Sequence, residues 1–281
     1  MKKVVDCFIF YNELTLLRYR LALLDPVVDH FVLVESRHTH VGNEKELYYD
    51  TNKEMSGLAE FAHKIVHVIV DDFPHQEGNL TAENSSEIWQ NENFQRIAIK
   101  RGLAQLSLDD DDVFTICDLD EIPDPTLLSA LKTTPAISTS LYKNGIHGLE
   151  MDFYYYNLTC KFTNKWNQAR VVRVGNVFRD GEITISTQDM RMLQPHYSFR
   201  RAGWHLSYFG DAKFIQNKIQ QFSHQELNTK SFTELDMITD RVQNARDLYD
   251  RTSSNIQTVA LVDNDYLPPM FESYLHDFIH I

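Results

Sequence analysis

An apolar run at residues 113–117 ends in Asp118-Leu119-Asp120-Glu121, and Ile122-Pro123 follow at once. The run has the length and composition of a strand buried on both faces. In a parallel α/β sheet, ligands gather outside the carboxyl ends of the strands, so these acids stand where a ligand would sit. Asp118 and Asp120 are two residues apart and share a face in extended geometry. Carboxylates held side by side repel. A hard divalent cation, Mn2+ or Mg2+, relieves that repulsion and takes further oxygens from phosphate groups. A bare Asp-x-Asp is most often only an acidic strand-to-turn junction. The apolar strand before it and the proline after it favour a metal site with Asp118 and Asp120 as ligands.

Three other groups of residues could share that sheet edge. Asn93, Arg96 and Lys100 are spaced to lie on one helix face. Arg96, set among Phe94, Ile97 and Ala98, is expected to reach a diphosphate or a base, and Lys100 to be solvated. Phe10-Tyr11-Asn12-Glu13 joins the first strand to a helix and offers backbone N–H groups, with Asn12 a helix cap or a ligand contact. Glu35 ends the second strand, where it could accept a hydrogen bond from a uracil N–H or a ribose hydroxyl, or be solvated. No Gly-rich loop follows the first strand, so neither a dinucleotide fingerprint nor a P-loop is supported. Further along, Ala202-Gly203-Trp204-His205 combines a glycine that permits close backbone approach to a ligand, a ring that can stack on a sugar, and a metal-ligating imidazole. His224, beside Glu226, competes with His205 for that last role.

These side chains need a scaffold. Apolar strands at Val4–Phe10, 31–34, Ile65–Val70 and 113–117 alternate with helical patterns. One has Leu14, Leu17, Leu21 and Leu24 at helical spacing before Pro26. Another is expected over 87–106, with a short helix over 55–63. The alternation predicts an α/β fold, a parallel sheet with helices on both faces. Short strand-like pieces at 149–158, 169–174, 182–185 and 196–199 predict a mixed or antiparallel C-terminal extension, and 211–249 returns to helical spacing. A soft boundary near Pro135 separates a donor-binding half, 1–135, from an acceptor-side half, 136–281, within one catalytic domain.

With 281 residues, 43% of them hydrophobic, the chain can bury a sizeable core, and 10 Gly and 8 Pro argue against a fibrous or disordered chain. A net charge of -13 repels nucleic-acid phosphate, so no nucleic-acid partner is expected, although a metal or a few cations can reverse the field within one cleft. Cys7, Cys117 and Cys160 have neither disulfide-framework nor zinc-site spacing and fit a reducing compartment. Met1-Lys2-Lys3-Val4-Val5-Asp6 lacks a signal-peptide pattern, and no apolar run is long enough for a bilayer. The chain therefore reads as cytoplasmic, without a membrane span but open to peripheral membrane association.

The order and combination of these motifs resemble glycosyltransferase family 17. The likeness rests on the run from Asp6 to Glu13, Leu17, Arg20-Leu21, the run from Asp25 to Glu35, Thr39-His40-Val41-Gly42, the run from Asp118 to Pro123, and Ala202-Gly203-Trp204-His205. The resemblance implies a GT-A-like fold, a UDP-sugar donor, in particular UDP-GlcNAc, and inversion at the anomeric carbon. It places the family's Asp-x-Asp on Asp118 and Asp120. On that reading they hold Mn2+ or Mg2+ on the diphosphate with His205, Arg96 adds charge, and a carboxylate takes the acceptor's proton. Asp211 is the first choice for that base, with Asp152, Glu150 and Glu226 open. Animal members are anchored in the Golgi, so the acceptor expected here is a surface glycan or a lipid-linked oligosaccharide. A sugar-nucleotide nucleotidyltransferase and a non-catalytic carbohydrate-binding protein are the alternatives.

Overall fold

The computed structural model describes residues 2–134, 145–179, 182–252 and 255–279. The boundary expected near Pro135 lies outside these residues. Four apolar runs form the parallel heart of the fold: β1 (Val4–Phe10), β2 (His30–Ser36), β3 (Ile65–Val70) and β4 (Val113–Asp118). Both faces of β1 are buried, as an interior parallel strand requires. Val4, Phe8 and Phe10 pack in one core with Leu17, Leu21 and Leu24 of α1 (Leu14–Leu24). Val5 and Cys7 pack in a second core with Ile99 and Leu103. The helix expected over 87–106 is two segments, α3 (Ser85–Ile97) and α4 (Ile99–Leu103), joined at Ala98, whose N–H reaches the carbonyls of both Phe94 and Gln95.

The later part of the chain completes this sheet. β6 (Ile146–Leu149), β9 (Arg170–Arg173) and β12 (Ser198–Phe199) give the order β12-β6-β9-β4-β1-β2-β3, with β9 antiparallel to both neighbours. A five-stranded mixed sheet has the order β14-β8-β7-β13-β5. Its members are β5 (Glu121–Pro123), β7 (Asp152–Tyr155), β8 (Cys160–Phe162), β13 (Gly203–Ser207) and β14 (Ile256–Thr258). A two-stranded hairpin, β10 (Phe178–Arg179) with β11 (Glu182–Ile183), stands apart. The expected α/β class is thus the observed one, but three strands expected in a C-terminal extension join the first sheet and make it mixed.

One local expectation is corrected. Past the acidic tip the chain runs through β5, which pairs antiparallel with β13, Gly203 opposite Pro123. Gly203 has φ 147°, and a Cβ there would lie 2.1 Å from the Ile122 carbonyl oxygen. Its close approach is therefore to a strand of the protein and not to a ligand. The return to helical spacing over 211–249 is observed as several pieces, chiefly α7 (Ala212–Gln221) and α8 (Leu235–Gln243). α2 (Tyr48–Asn52), α5 (Pro125–Thr133) and α6 (Thr187–Met192) complete the elements used below. Among the described residues no helix is long and apolar enough to cross a membrane, and Cys7, Cys117 and Cys160 are free and buried.

Candidate active site

The acidic tip is shaped from beneath by one buried guanidinium. Arg20 of α1 is fully buried and pairs with Asp6 of β1 at 2.7 Å. Its Nη1 donates to the carbonyls of Asp118, Leu119 and Glu121 at 3.0, 2.9 and 2.7 Å. A single rigid, always-charged fork thereby satisfies three backbone acceptors where the chain turns out of β4. The parallel register sets Asp118 beside Ile9, and Glu35 beside Phe10, so the tips of β4, β1 and β2 line one sheet edge.

Above that peg the two aspartates part company. Asp118 Oδ1 accepts from Arg96 at 3.0 Å and Oδ2 from Arg191 of α6 at 2.9 Å. Partial burial opposes its ionisation, but Arg191 and Arg96 outweigh that and hold its carboxyl below the usual range. Arg191 also forks onto buried Glu121 with two bonds of 2.7 Å. Asp120 is buried and faces a different pair. Its Oδ2 accepts from Lys218 of α7 at 3.0 Å, and its Oδ1 lies 3.5 Å from His205 Nε2. Burial again opposes ionisation, and Lys218 followed by His205 overrides it, leaving this carboxyl well below its ordinary value.

His205 is held by stacking. Its ring lies 4.7 Å from Phe153 at 9° and 4.3 Å from Trp166, and Trp166 Nε1 donates to Glu121. β13 fixes the backbone as well, since Leu206 N donates to the Asp120 carbonyl. These groups border a cavity of about 220 Å³ at the sheet edge. Four carboxylates, Glu13, Glu92, Asp118 and Asp120, line it against three cations, Lys45, Arg96 and Lys218, with His38, His40 and His205 around them. Phe10, Tyr11 and Gln95 supply flat apolar and amide surface. The arrangement can take a polar ligand with both an anionic and a planar part.

The sequence matches the profile of Glycosyltransferase family 17 over residues 1–262. The chain belongs to glycosyltransferase family 17. It is also 33% identical over 130 residues to the rat and human proteins named beta-1,4-mannosyl-glycoprotein 4-beta-N-acetylglucosaminyltransferase, and 32% identical to the mouse one. The matched stretch is 43% of this chain and 22% of each relative, so the chain spans about a fifth of those proteins.

In this family 17 chain the expected site residues fall into two groups. Asp118, Asp120, His205, Arg96 and Glu13 all border the cavity. The others do not. Glu35 is fully buried, and its carboxylate is consumed by Lys45 at 3.1 Å, His67 at 3.1 Å and the backbone N–H groups of Tyr48 and Tyr49 at the start of α2. It anchors that loop and has no oxygen to spare for a nucleoside. Trp204 is 1% exposed; its Nε1 donates to the Tyr266 carbonyl and its ring packs on Tyr266, so it cannot stack on a sugar. Asn12 is not the cap of α1: Glu13 holds that position, its own Oε2 accepting from the N–H of Asn12 at 3.1 Å.

The base candidates separate as well. Asp152 is buried against Lys161 and Lys165, off the cavity. Glu226 is exposed and paired with His224 at 2.7 Å. Asp211 caps α7, Oδ1 accepting from Phe214 N at 2.8 Å. It lines a second cavity, of about 590 Å³, that shares Glu13 with the first. Arg20, Arg191 and Lys218 did not stand out as site residues in the sequence. Each lies 70 to 101 residues from an acid or carbonyl it serves, and no local pattern reports such a contact.

Proposed function

We propose that this family 17 member is an inverting glycosyltransferase of GT-A-like architecture. It moves a sugar, GlcNAc by likeness to the relatives, from a UDP-sugar to a hydroxyl of a glycan or glycolipid. One observation carries the reading. Asp120, His205, Lys218 and Arg96 surround a single cavity at the carboxyl edge of a parallel sheet, where such folds bind phosphorylated ligands.

A divalent cation fits this donor set. Asp120 Oδ1 and His205 Nε2 face one another at 3.5 Å, and His205 Nδ1 is buried without a partner. Among the described residues no three His, Cys, Asp or Glu side chains are placed to hold one ion, so its remaining ligands would be phosphate oxygens and water. Both oxygens of Asp118 already serve arginines, which makes Asp120 and His205 the protein's ligands. When bound, Mn2+ or Mg2+ supplies Lewis-acid charge to the leaving diphosphate.

The chain's own groups account for the rest. Phe10, Tyr11 and Gln95 offer surface for the base, and Arg96 places positive charge near the diphosphate. The acceptor oxygen bonds to the anomeric carbon as that carbon's bond to the diphosphate oxygen breaks, and the acceptor proton passes to a carboxylate. Asp211 is the proposed base, since of the four acids it is the one that lines the cavity adjoining the donor's at Glu13. A panel of UDP-sugars assayed with Mn2+ or Mg2+ tests the function. Wild type should release UDP from one donor far faster than from the others, and Asp120→Asn should slow that release by about 10²-fold or more. Turnover of the variant near wild type would reject the assignment.

A further inference from the structure

Lys218 sits where the tips of β1 and β4 converge. Its Nζ donates to Asp120 Oδ2 at 3.0 Å and lies 3.2 Å from Glu13 Oε1, and the side chain lines the first cavity. An ammonium has three N–H donors. One is given to Asp120, Glu13 lies within ion-pair distance and the Tyr208 ring centroid is 5.6 Å away, so donor capacity remains on the cavity side. The two acids together carry more charge than the single ammonium cancels, so the trio is not a neutral structural pair. Asp152 makes the contrast. It is paired with Lys161 and Lys165, and that cluster lies off the cavity.

The helix that presents Lys218 is fastened to the opposite wall at three points. Asn217 Oδ1 accepts from Tyr11 Oη at 2.8 Å and from Asn12 Nδ2 at 3.4 Å. Gln221 Oε1 accepts from Asn43 Nδ2 at 3.2 Å. Just past the helix end, Ser223 Oγ and His40 Nδ1 are 3.0 Å apart. The ammonium is therefore positioned before any ligand arrives, and a preorganised charge costs no reorganisation when new charge develops beside it.

We propose that Lys218 is a catalytic cation for the diphosphate: its ammonium donates to a phosphate oxygen of the bound donor and stays on the nucleoside diphosphate as it leaves. This rests on reading the cavity as the nucleotide-sugar site. Lys218 transfers no proton. As the acceptor oxygen bonds to the anomeric carbon, the electron pair of the breaking bond remains on the diphosphate oxygen, and Lys218 offsets that charge.

The test compares wild type, Lys218→Gln and Lys218→Arg, each titrated with UDP and with uridine in EDTA, alongside UDP-sugar turnover. Lys218→Gln should lose tenfold or more of its UDP affinity while uridine binds as before, and its kcat should fall further than its KM rises. Lys218→Arg should recover most of the UDP affinity. UDP binding unchanged in Lys218→Gln, or UDP and uridine weakened in parallel, overturns the proposal, the second result marking a structural lysine. Should Lys218→Gln fail to melt cooperatively, Lys218→Arg decides alone: UDP affinity and kcat both within twofold of wild type support a charge role, and a parallel loss of uridine overturns it. A wild type that binds neither UDP nor uridine, in EDTA or with Mn2+, overturns the donor reading itself, and this proposal with it.

Discussion

At the scale of residues, Asp118 and Asp120 divide their labour by their neighbours. Two arginines take both oxygens of Asp118, whereas Asp120 shares its cavity with Lys218 and His205. Asp118 is thus a charge anchor for Arg96 and Arg191, and its depressed carboxyl pKa is a stability term. A depressed folded-state pKa contributes stability that is fully present above the unfolded value, about 3.9, and is lost as pH falls towards the folded one. In EDTA, Asp118→Asn should therefore melt below wild type at pH 7, and the gap should shrink below about pH 4. A gap that stays constant to pH 2.5 would contradict this. For the base, Asp211→Asn should lower kcat by about 10²-fold or more while UDP affinity is kept. Loss of UDP affinity in step with kcat would point to a merely structural cap on α7. The acid tip was legible because an apolar strand running into acids is a local pattern. Trp204 was misread although strand alternation bears on it. If His205 faces the cavity, the preceding residue in β13 must face away, into the core.

The elements that hold the tip are a helix pegged from below and a strand pressed against it from the side. Replacing Arg20 with Met leaves Asp6 in the interior without its cation and removes the guanidinium donor from three backbone carbonyls. Breaking a buried pair in this way costs about 3–5 kcal/mol, and urea unfolding of Arg20→Met should show a loss of that order. A loss under about 1 kcal/mol would mean that the peg is replaceable. Gly203→Ala places a Cβ against the Ile122 carbonyl and should separate β13 from β5, costing about 1–3 kcal/mol and displacing His205. The check is Tm together with Mn2+-dependent turnover, and both should fall. β1 to β4 could be read from composition because each is dominated by apolar residues. β5 and β13 could not. They are short, one carries a proline, and their pairing joins residues some eighty positions apart.

Across the whole molecule, the site belongs to no segment alone. β4 gives one edge to β1 and the other to β9, while Arg191, His205 and Lys218 all come from beyond residue 145. The first core likewise joins Leu17 and Phe31 to Met151, Trp204 and Leu275. A fragment of residues 1–134 should consequently lack a cooperative melt and bind no UDP. A fragment that folds and binds UDP would show the first half to be autonomous. Alternation of strands and helices made the α/β class legible, whereas the convergence of distant cations on one cavity depends on long-range chain geometry. The most direct measurement is a crystal structure of the protein with UDP and Mn2+. The account predicts the diphosphate within hydrogen-bonding reach of Lys218, with an ion between it and the Asp120 and His205 side chains. A nucleotide bound elsewhere, with no ion beside Asp120, would contradict it.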